Sequence, residues 1–312
     1  MGILQIRKAK REGARMVIGY QGISGSGKTM TAILTAYGLA GYDSSKVGFL
    51  DTENRRGSLY ADVLKNEAGE VQPFLIGDLT APFTPDRYAD AIKEFEDAGV
   101  EVLVIDSVSH EWGGNGGCLD IAANLKGPQA WKIAKGAHKR FMNALLLSSM
   151  HIIVCIRETE KVDWTNPKDP IKLGLLPIQE KEFVYELTAS LQMRENGKAQ
   201  GVLKCPEELL PILGRGKGYI TPADGKALRD WVDGAKVENP KVLQWRDRLL
   251  AVTEKGETFI TEAWSKVPAD IQSALGADFQ ATLISSAKAF DDQLKTASKG
   301  DDELDALNAS IG

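Results

Sequence analysis

The sequence predicts an α/β protein in which a mostly parallel central sheet is sandwiched by helices and followed by a small helical region. Three observations predict this fold class. Apolar strand-like runs alternate with helical patterns, two of those runs are nearly continuous, and only helical patterns follow residue 234. Alternating strands and helices favour a parallel sheet, and continuous apolar runs are typical of strands buried on both faces. We therefore expect a core over residues 1–234 and a helical region over residues 235–312.

The elements of the core follow in order along the chain. The predicted strands cover residues 16–20, 47–50, 100–105, 151–156, about 184–193 and 200–204. The predicted helices cover residues about 28–40, 86–97 and about 128–148. The turn Glu195-Asn196-Gly197 separates the last two strands, and Asn-Gly between strand-like runs indicates a hairpin.

The composition limits the classes of function. The chain has 312 residues, of which 43% are hydrophobic and 26% charged, as in ordinary globular proteins. No apolar run of about 18 residues predicts a membrane span, so we expect a cytoplasmic protein without a membrane partner. Three scattered cysteines, Cys118, Cys155 and Cys205, favour a reduced setting. Neither they nor the three dispersed histidines show metal-type spacing, and a net charge of −5 leaves nucleic-acid binding to local basic loops.

Residues 22–29 form the most specific motif in the chain. They match G-x-x-x-x-G-K-[ST] in full, between a predicted strand and a predicted helix, which is the context that this phosphate-binding loop requires. Its glycines allow the backbone to wrap around phosphate groups. We expect the lysine to reach the β- and γ-phosphates and the threonine hydroxyl to hold Mg²⁺. The residues of the loop are Gly22, Ile23, Ser24, Gly25, Ser26, Gly27, Lys28 and Thr29.

Two carboxylates follow predicted strands at the same edge of the sheet. Asp106 ends the apolar run Val102-Leu103-Val104-Ile105, where ligands bind in open α/β sheets, and it is the predicted second contact for Mg²⁺. Glu53 follows the strand over residues 47–50. A carboxylate at this position is suited to activating the attacking water, so we predict that Glu53 is the catalytic base.

At this point the chain resembles the ATPase core of RecA-type recombinases. The phosphate loop carries the resemblance, together with Phe49-Leu50-Asp51-Thr52-Glu53 and Val104-Ile105-Asp106-Ser107-Val108. It covers about residues 3–233 and implies ATP and Mg²⁺ as cofactors, with Glu53 as the catalytic glutamate. The pattern is similar to a phage-encoded branch tied to single-strand annealing, through residues 7–13, 174–179 and 183–186. That branch implies a phage-infected or prophage-carrying bacterial host.

The same resemblance implies further sites. Two loops would face single-stranded DNA, the first over residues 110–127 and the second over 158–173, with Lys161, Trp164, Lys168 and Lys172. Arg157 lies where the family usually has a polar sensor of the γ-phosphate, although bacterial RecA has Gln there. Lys204 lies near a lysine that reaches the nucleotide of a neighbouring subunit, which implies self-association into a filament or a ring.

The helical region and the overall function leave alternatives open. Apolar residues at helical spacing over residues 242–283 predict a small bundle, followed by an acidic tail with Asp301, Asp302, Glu303 and Asp305. This region is either a structural appendage or a docking module for a single-strand-binding or annealing partner. The favoured function is a DNA-stimulated ATPase of recombination. The alternatives are a ring-forming motor, such as a helicase or packaging ATPase, and a nucleotide-switched assembly protein without DNA contact.

Overall fold

The computed structural model describes residues 14–125, 127, 129–163, 171–234 and 240–311, in which strands and helices alternate. The strands are β1 (Val17–Gly22), β2 (Val47–Asp51), β3 (Leu75–Asp78), β4 (Val102–Asp106), β5 (His151–Asp163), β6 (Ile171–Pro177), β7 (Ala189–Arg194) and β8 (Ala199–Lys204). The helices are α1 (Lys28–Leu39), α2 (Pro85–Asp97), α3 (Ser109–Gly113), α4 (Cys118–Asn124), α5 (Ala130–Leu147), α6 (Phe183–Glu186), α7 (Leu210–Leu213), α8 (Pro222–Val232), α9 (Pro240–Leu250), α10 (Glu257–Ser265) and α11 (Ala269–Ile311).

The strands of the described residues form one eight-stranded, mostly parallel sheet. The order is β3-β2-β4-β5-β1-β7-β8, with β6 paired to β5 outside this path. The pairs β3–β2, β2–β4, β4–β5, β5–β1 and β1–β7 are parallel, whereas β7–β8 and β5–β6 are antiparallel. The predicted fold class is therefore confirmed, and the carboxyl ends of the five parallel central strands point to one edge of the sheet.

Helices cover both faces of this sheet, which explains why its central strands are mostly apolar. Every residue of β1, β2 and β4 is buried. One face packs against α1 and α8 through side chains such as Ile33 and Leu228. The other face packs against α2 and α5 through Tyr88, Ile92 and Phe141. Burial of each large apolar side chain contributes roughly 1.5–3 kcal/mol, so these two layers supply most of the stability of the core.

The contact between α1 and α8 depends on two glycines. A Cβ atom at Gly38 would overlap the carbonyl oxygen of Pro222, and one at Gly225 would overlap that of Thr35. The two helix backbones approach so closely that no side chain fits between them. This contact fixes α1, and therefore the phosphate loop that precedes it, against the sheet.

The predicted Asn-Gly turn is present between β7 and β8. Asn196 has φ 54° and ψ 39°, and Gly197 has φ 89°. Glu195 also has a positive φ, 51°, and residues 195–198 form a four-residue connection between the strands. Positive φ values at Asn and Gly are favoured in hairpin connections. A Cβ atom at Gly27 would overlap the backbone of this turn, so the turn packs directly against the phosphate loop.

Three predicted segments differ in the structure. Residues 183–186 form the single helical turn α6 rather than the start of a strand, because Phe183 turns inward to stack on Phe141 with ring centroids 6.4 Å apart. The predicted loop over 110–127 largely consists of α3 and α4. The predicted loop over 158–173 includes the arms of a hairpin, since β5 continues to Asp163 and pairs with β6. Strands β3 and β6 were not predicted, and Trp164, Lys168 and residues 7–13 lie outside the described residues.

The helical region has a hydrophobic core of its own. The chain divides into the compact units Met1–Val237 and Glu238–Gly312. In the second unit, α9, α10 and α11 bury Val242, Leu249, Ile271 and Leu283, as the helical spacing predicted, together with Ile260. Leu250 was expected in this series but is 48% exposed. No helix among the described residues has the length and apolarity to cross a membrane.

Removal of the helical region tests the predicted boundary at residue 234. We expect a chain that ends at Gly234 to fold and to retain basal ATP turnover, because both faces of the sheet are covered by helices that precede the cut. Thermal unfolding and the steady-state ATPase rate of the truncated chain measure this. An insoluble product, or one without a cooperative transition, would show that the helical region completes the core.

Candidate nucleotide site

The phosphate loop joins β1 to α1 as the motif predicted. Gly25 and Gly27 have φ 78° and 96°, which only glycine adopts without strain. The side chain of Lys28 is folded back into the loop, and its Nζ donates hydrogen bonds to the carbonyl oxygens of Gly22 at 2.9 Å and Ile23 at 2.8 Å. The ammonium is therefore held between the start of the phosphate loop and the N-terminus of α1. At this helix N-terminus, backbone N–H groups and the helix dipole favour an anion.

The sheet brings the sequence-predicted carboxylates to the phosphate loop. In the register of the strands, Asp51 pairs with Asp106, and Gly22 pairs with Arg157. A cavity of about 190 Å³ opens at this edge. Its lining includes Ser24, Gly25, Lys28, Thr29, Asp51, Glu53, Arg56, Asp106 and Arg157. Four residues predicted from separate segments, Lys28, Glu53, Asp106 and Arg157, thus share one pocket.

Thr29 and Asp106 form the oxygen pair that suits Mg²⁺. The Thr29 hydroxyl donates to Oδ2 of Asp106 at 2.6 Å. Burial raises the pKa of Asp106 to about 6, and the hydrogen bond from Thr29 partly offsets this effect. Hydroxyl and carboxylate oxygens are the hard ligands that Mg²⁺ prefers, so these residues fit the ion. Mg²⁺ held here would neutralise charge on the β- and γ-phosphates.

Glu53 is held at the mouth of the pocket by three neighbours. Its Oε1 accepts a hydrogen bond from the Ser107 hydroxyl at 3.3 Å. Nη1 of Arg157 lies 3.6 Å from the same oxygen, and Nε2 of His110 lies 3.9 Å away. The side chain of Glu53 is 21% exposed, so water reaches it. A fixed, hydrated carboxylate in the pocket of the phosphate loop has the position that a general base for water requires.

His110 completes this network in its neutral form. Arg157 Nη1 lies 3.1 Å from Nε2 of His110, and Thr52 Oγ1 lies 2.9 Å from Nδ1. Since a guanidinium can only donate, Nε2 is the acceptor and Nδ1 carries the proton. Burial lowers the pKa of His110, and the Arg157 charge adds to this effect while the Glu53 charge opposes it. No sequence pattern indicated His110, because its partners come from two distant segments, residues 52–53 and Arg157.

Asp51 fixes the backbone that presents Glu53. This carboxylate is 1% exposed, and its two oxygens accept hydrogen bonds from the backbone N–H groups of Glu53 and Gly57, each at 2.6 Å. The loop after β2 is therefore folded around Asp51. Asp51 is part of a predicted motif, but no sequence pattern indicated this positioning role.

A second cavity of about 540 Å³ lies on the other side of the phosphate loop. Its lining includes Leu34, Tyr60, Asn196, Tyr219 and Ile220. Two exposed or half-buried aromatic rings beside an apolar wall suit the base and ribose of a nucleotide. None of these residues was predicted for binding, because they come from four distant segments.

Lys204 lies apart from these cavities, on the edge strand β8. Its Nζ donates a hydrogen bond to the carbonyl oxygen of Tyr185. The role expected from the resemblance, contact with a nucleotide of a neighbouring subunit, stays a prediction.

The fold and the geometry of this site define a P-loop nucleoside triphosphatase. The chain belongs to the AAA domain family, whose sequence profile matches residues 13–208. It is therefore a P-loop ATPase. Among solved structures, it is similar to a KaiC-like protein from the archaeon Pyrococcus horikoshii, with 16% identity and a TM-score of 0.36 over 63% of this chain and 81% of that chain. No curated protein matches the sequence.

Replacement of Lys28 tests the phosphate site. We expect Lys28→Ala to weaken binding of Mg²⁺–ATP by about 10- to 100-fold, because hydrogen bonds from a charged group contribute roughly 1.5–3 kcal/mol. Isothermal titration calorimetry measures the affinity, and Lys65→Ala, at an exposed lysine, is the matched control. Equal affinity in both variants would place the phosphates elsewhere.

Replacement of Glu53 tests the catalytic base. We expect Glu53→Gln to bind ATP with parental affinity but to hydrolyse it about 10²–10⁴-fold more slowly, because an amide cannot accept the proton of water. Single-turnover hydrolysis separates chemistry from binding. Glu67→Gln, at an exposed site, controls for the loss of one negative charge. A parental rate in Glu53→Gln would assign the base to another residue.

Proposed function

We propose that the chain is an ATPase of DNA recombination that acts on single-stranded DNA in annealing or strand exchange. One observation carries this proposal. Strand β5 continues without a break from Arg157 to Asp163 and forms a hairpin with β6. The predicted DNA-facing segment over residues 158–173 therefore begins directly after Arg157, whose guanidinium lies 3.6 Å from Glu53.

Through this connection, DNA bound to the hairpin can affect the predicted catalytic base, Glu53. Arg157 is anchored at the base of the hairpin, since its backbone N–H donates to Ser109 Oγ at 2.8 Å and its carbonyl oxygen accepts from Ile178 N–H at 2.8 Å. Its guanidinium occupies one side of the Glu53 carboxylate and competes with water for that oxygen. A strand that moves the hairpin would shift Arg157 and change the access of water to Glu53. We therefore expect DNA to stimulate turnover.

The arms of the hairpin carry exposed lysines. Lys161 lies on β5 and Lys172 on β6, and both are exposed. Exposed leucines, Leu173 and Leu175, are 50% and 42% accessible beside them. Lysines that contact phosphates together with apolar surface beneath the bases are typical of binding without sequence preference.

A second surface with the same chemistry lies beside the first predicted DNA segment. Helix α5 follows α4 and presents Lys132 and Lys139, both exposed, and Trp131, which is 50% exposed. Trp131 lies beside Trp112 of α3, with ring centroids 6.5 Å apart. An exposed indole offers a stacking platform for a base, which contributes about 1–3 kcal/mol in single-strand binding.

The proposal extends to assembly and origin. Self-association into a filament or a ring would place several phosphate loops along one strand, and the helical region would recruit a single-strand-binding or annealing partner. The resemblance to phage-encoded ATPases supports a bacterial host that carries a phage as a further part of the proposal. These parts rest on the resemblance of residues 3–233 rather than on the geometry of the site.

Paired lysine replacements test the DNA surfaces. We expect Lys161→Ala/Lys172→Ala and Lys132→Ala/Lys139→Ala to weaken binding of single-stranded oligonucleotides of any sequence and to flatten the salt dependence by about 0.7 in log–log slope for each lost phosphate contact. Fluorescence titration with a labelled oligonucleotide at several salt concentrations measures both effects. Basal turnover should stay parental, because neither pair contacts the phosphate loop.

The control is Lys65→Ala/Lys266→Ala, which removes two exposed lysines outside both surfaces. If a lysine pair behaves like this control, its surface is not a DNA site. If the parent binds no single strand in the presence of ATP and Mg²⁺, the chain is instead a nucleotide-switched assembly protein. Unwinding of a forked duplex by the parent would favour the ring-forming motor.

A further inference from the structure

A buried cluster of metal-type side chains lies outside the nucleotide site. Glu111 of α3, Cys118 of α4 and His138 of α5 each offer one ligand atom, and these atoms lie within 4.8 Å of one another. Glu111 and Cys118 are fully buried and His138 is 8% exposed. Together they combine a carboxylate, a thiol and an imidazole, which the sequence separates by up to 27 residues.

The distances between these atoms are close to those of ligands around one ion. Nδ1 of His138 lies 3.0 and 3.2 Å from the two carboxylate oxygens of Glu111, and Sγ of Cys118 lies 3.2 Å from Oε1. Tetrahedral Zn²⁺ with bonds of about 2.0–2.3 Å separates its ligands by about 3.3–3.8 Å. Shifts of a few tenths of an ångström away from Glu111 would therefore bring the Cys118 and His138 ligand atoms to the spacing of ligands around one ion.

We propose that Glu111, Cys118 and His138 bind one Zn²⁺ ion. Thiolate and imidazole ligands select zinc over Mg²⁺ or Ca²⁺, which prefer oxygen ligands alone. The carbonyl oxygen of Ala134 lies 3.8 Å from Cys118 Sγ, so this oxygen or a water molecule completes the tetrahedron. Binding releases the thiol proton of Cys118 to solvent, and His138 binds through Nδ1 with its proton on Nε2. The ligand charges then balance those of the ion.

The surroundings of the cluster support a site rather than a chance grouping. Gln179 Nε2 donates to Glu111 Oε2 at 3.3 Å and to the carbonyl oxygen of Val108 at 3.0 Å. Partners of this kind orient the ligands of metal sites. The ring of His138 packs against Trp112 and Phe183, so the imidazole is fixed and shielded from water. Bound zinc would link α3, α4 and α5. Its ligand Glu111 directly follows His110, which contacts Arg157 and Thr52 beside Glu53.

The alternative is a metal-free network, in which the thiol, the imidazole and the amide all donate to the Glu111 carboxylate. Metal content separates the two. We expect untagged full-length protein, purified without chelator, to contain one zinc per chain by inductively coupled plasma mass spectrometry. Cys118→Ser and His138→Gln should bind zinc at least about 10-fold more weakly and retain less of it after dialysis against a chelator, since the loss of one ligand weakens a site at least as much as the loss of an orienting partner. Cys205→Ser, at a half-buried cysteine outside the cluster, should keep it.

A second measurement uses the parent alone and does not depend on the folding of variants. After removal of metal with a chelator, added Co²⁺ should give a thiolate-to-cobalt charge-transfer band, and added Zn²⁺ should raise the melting temperature, because a ligand that binds the folded state stabilises it. Absence of zinc, of the cobalt band and of the thermal shift would overturn the proposal. Equal zinc content in the parent and in both cluster variants would also overturn it.

Discussion

The parallel pairing of β1 with β5 and β7 is the constraint on which the rest of the molecule depends. Because β1, β2, β4 and β5 run in the same direction, their carboxyl ends meet at one edge of the sheet. The phosphate loop follows β1, Asp51 and Asp106 end β2 and β4, and Arg157 of β5 lies opposite Gly22 at the end of β1. If the pairing register of any of these strands shifted by one residue, the side chains of that strand would turn to the opposite face of the sheet. The burial of the strands on both faces holds the registers and therefore the pocket.

The pocket brings three carboxylates and three cations together at one edge of the sheet. Asp51, Glu53 and Asp106 converge around the small cavity at this edge, and three cations line it with them: Lys28 of α1, Arg56, and Arg157 of β5. Asp51 is satisfied by backbone N–H groups. Asp106 has the Thr29 hydroxyl as a partner, and burial raises its pKa. An incoming Mg²⁺ would favour the ionised form of Asp106, so the carboxylate would be able to bind the Mg²⁺ of a metal-bound triphosphate.

Helix α3 links this pocket to the interior beside it. His110 faces outward to Arg157 and Thr52, whereas Glu111, the next residue, faces inward to Cys118 and His138. Successive residues of a helix point in different directions by about 100°, so one short helix contributes to both networks. Any change that reorganises α3, by DNA at residues 110–127 or by metal at Glu111, would therefore reach the neighbours of Glu53.

The sequence by itself determined the fold class, the phosphate loop and the two strand-end carboxylates, because apolar periodicity and the glycine-rich motif are local properties of the chain. It also determined the Asn-Gly turn, since that dipeptide adopts positive φ values at little cost. Only the tertiary structure decided that the segment after Arg157 forms a hairpin arm, that residues 110–127 contain two helices, and that His110, Asp51 and Tyr219 belong to the site. The Glu111–Cys118–His138 cluster shows the reason: its ligands have no metal-type spacing in the sequence, and they meet only because three helices pack against one another.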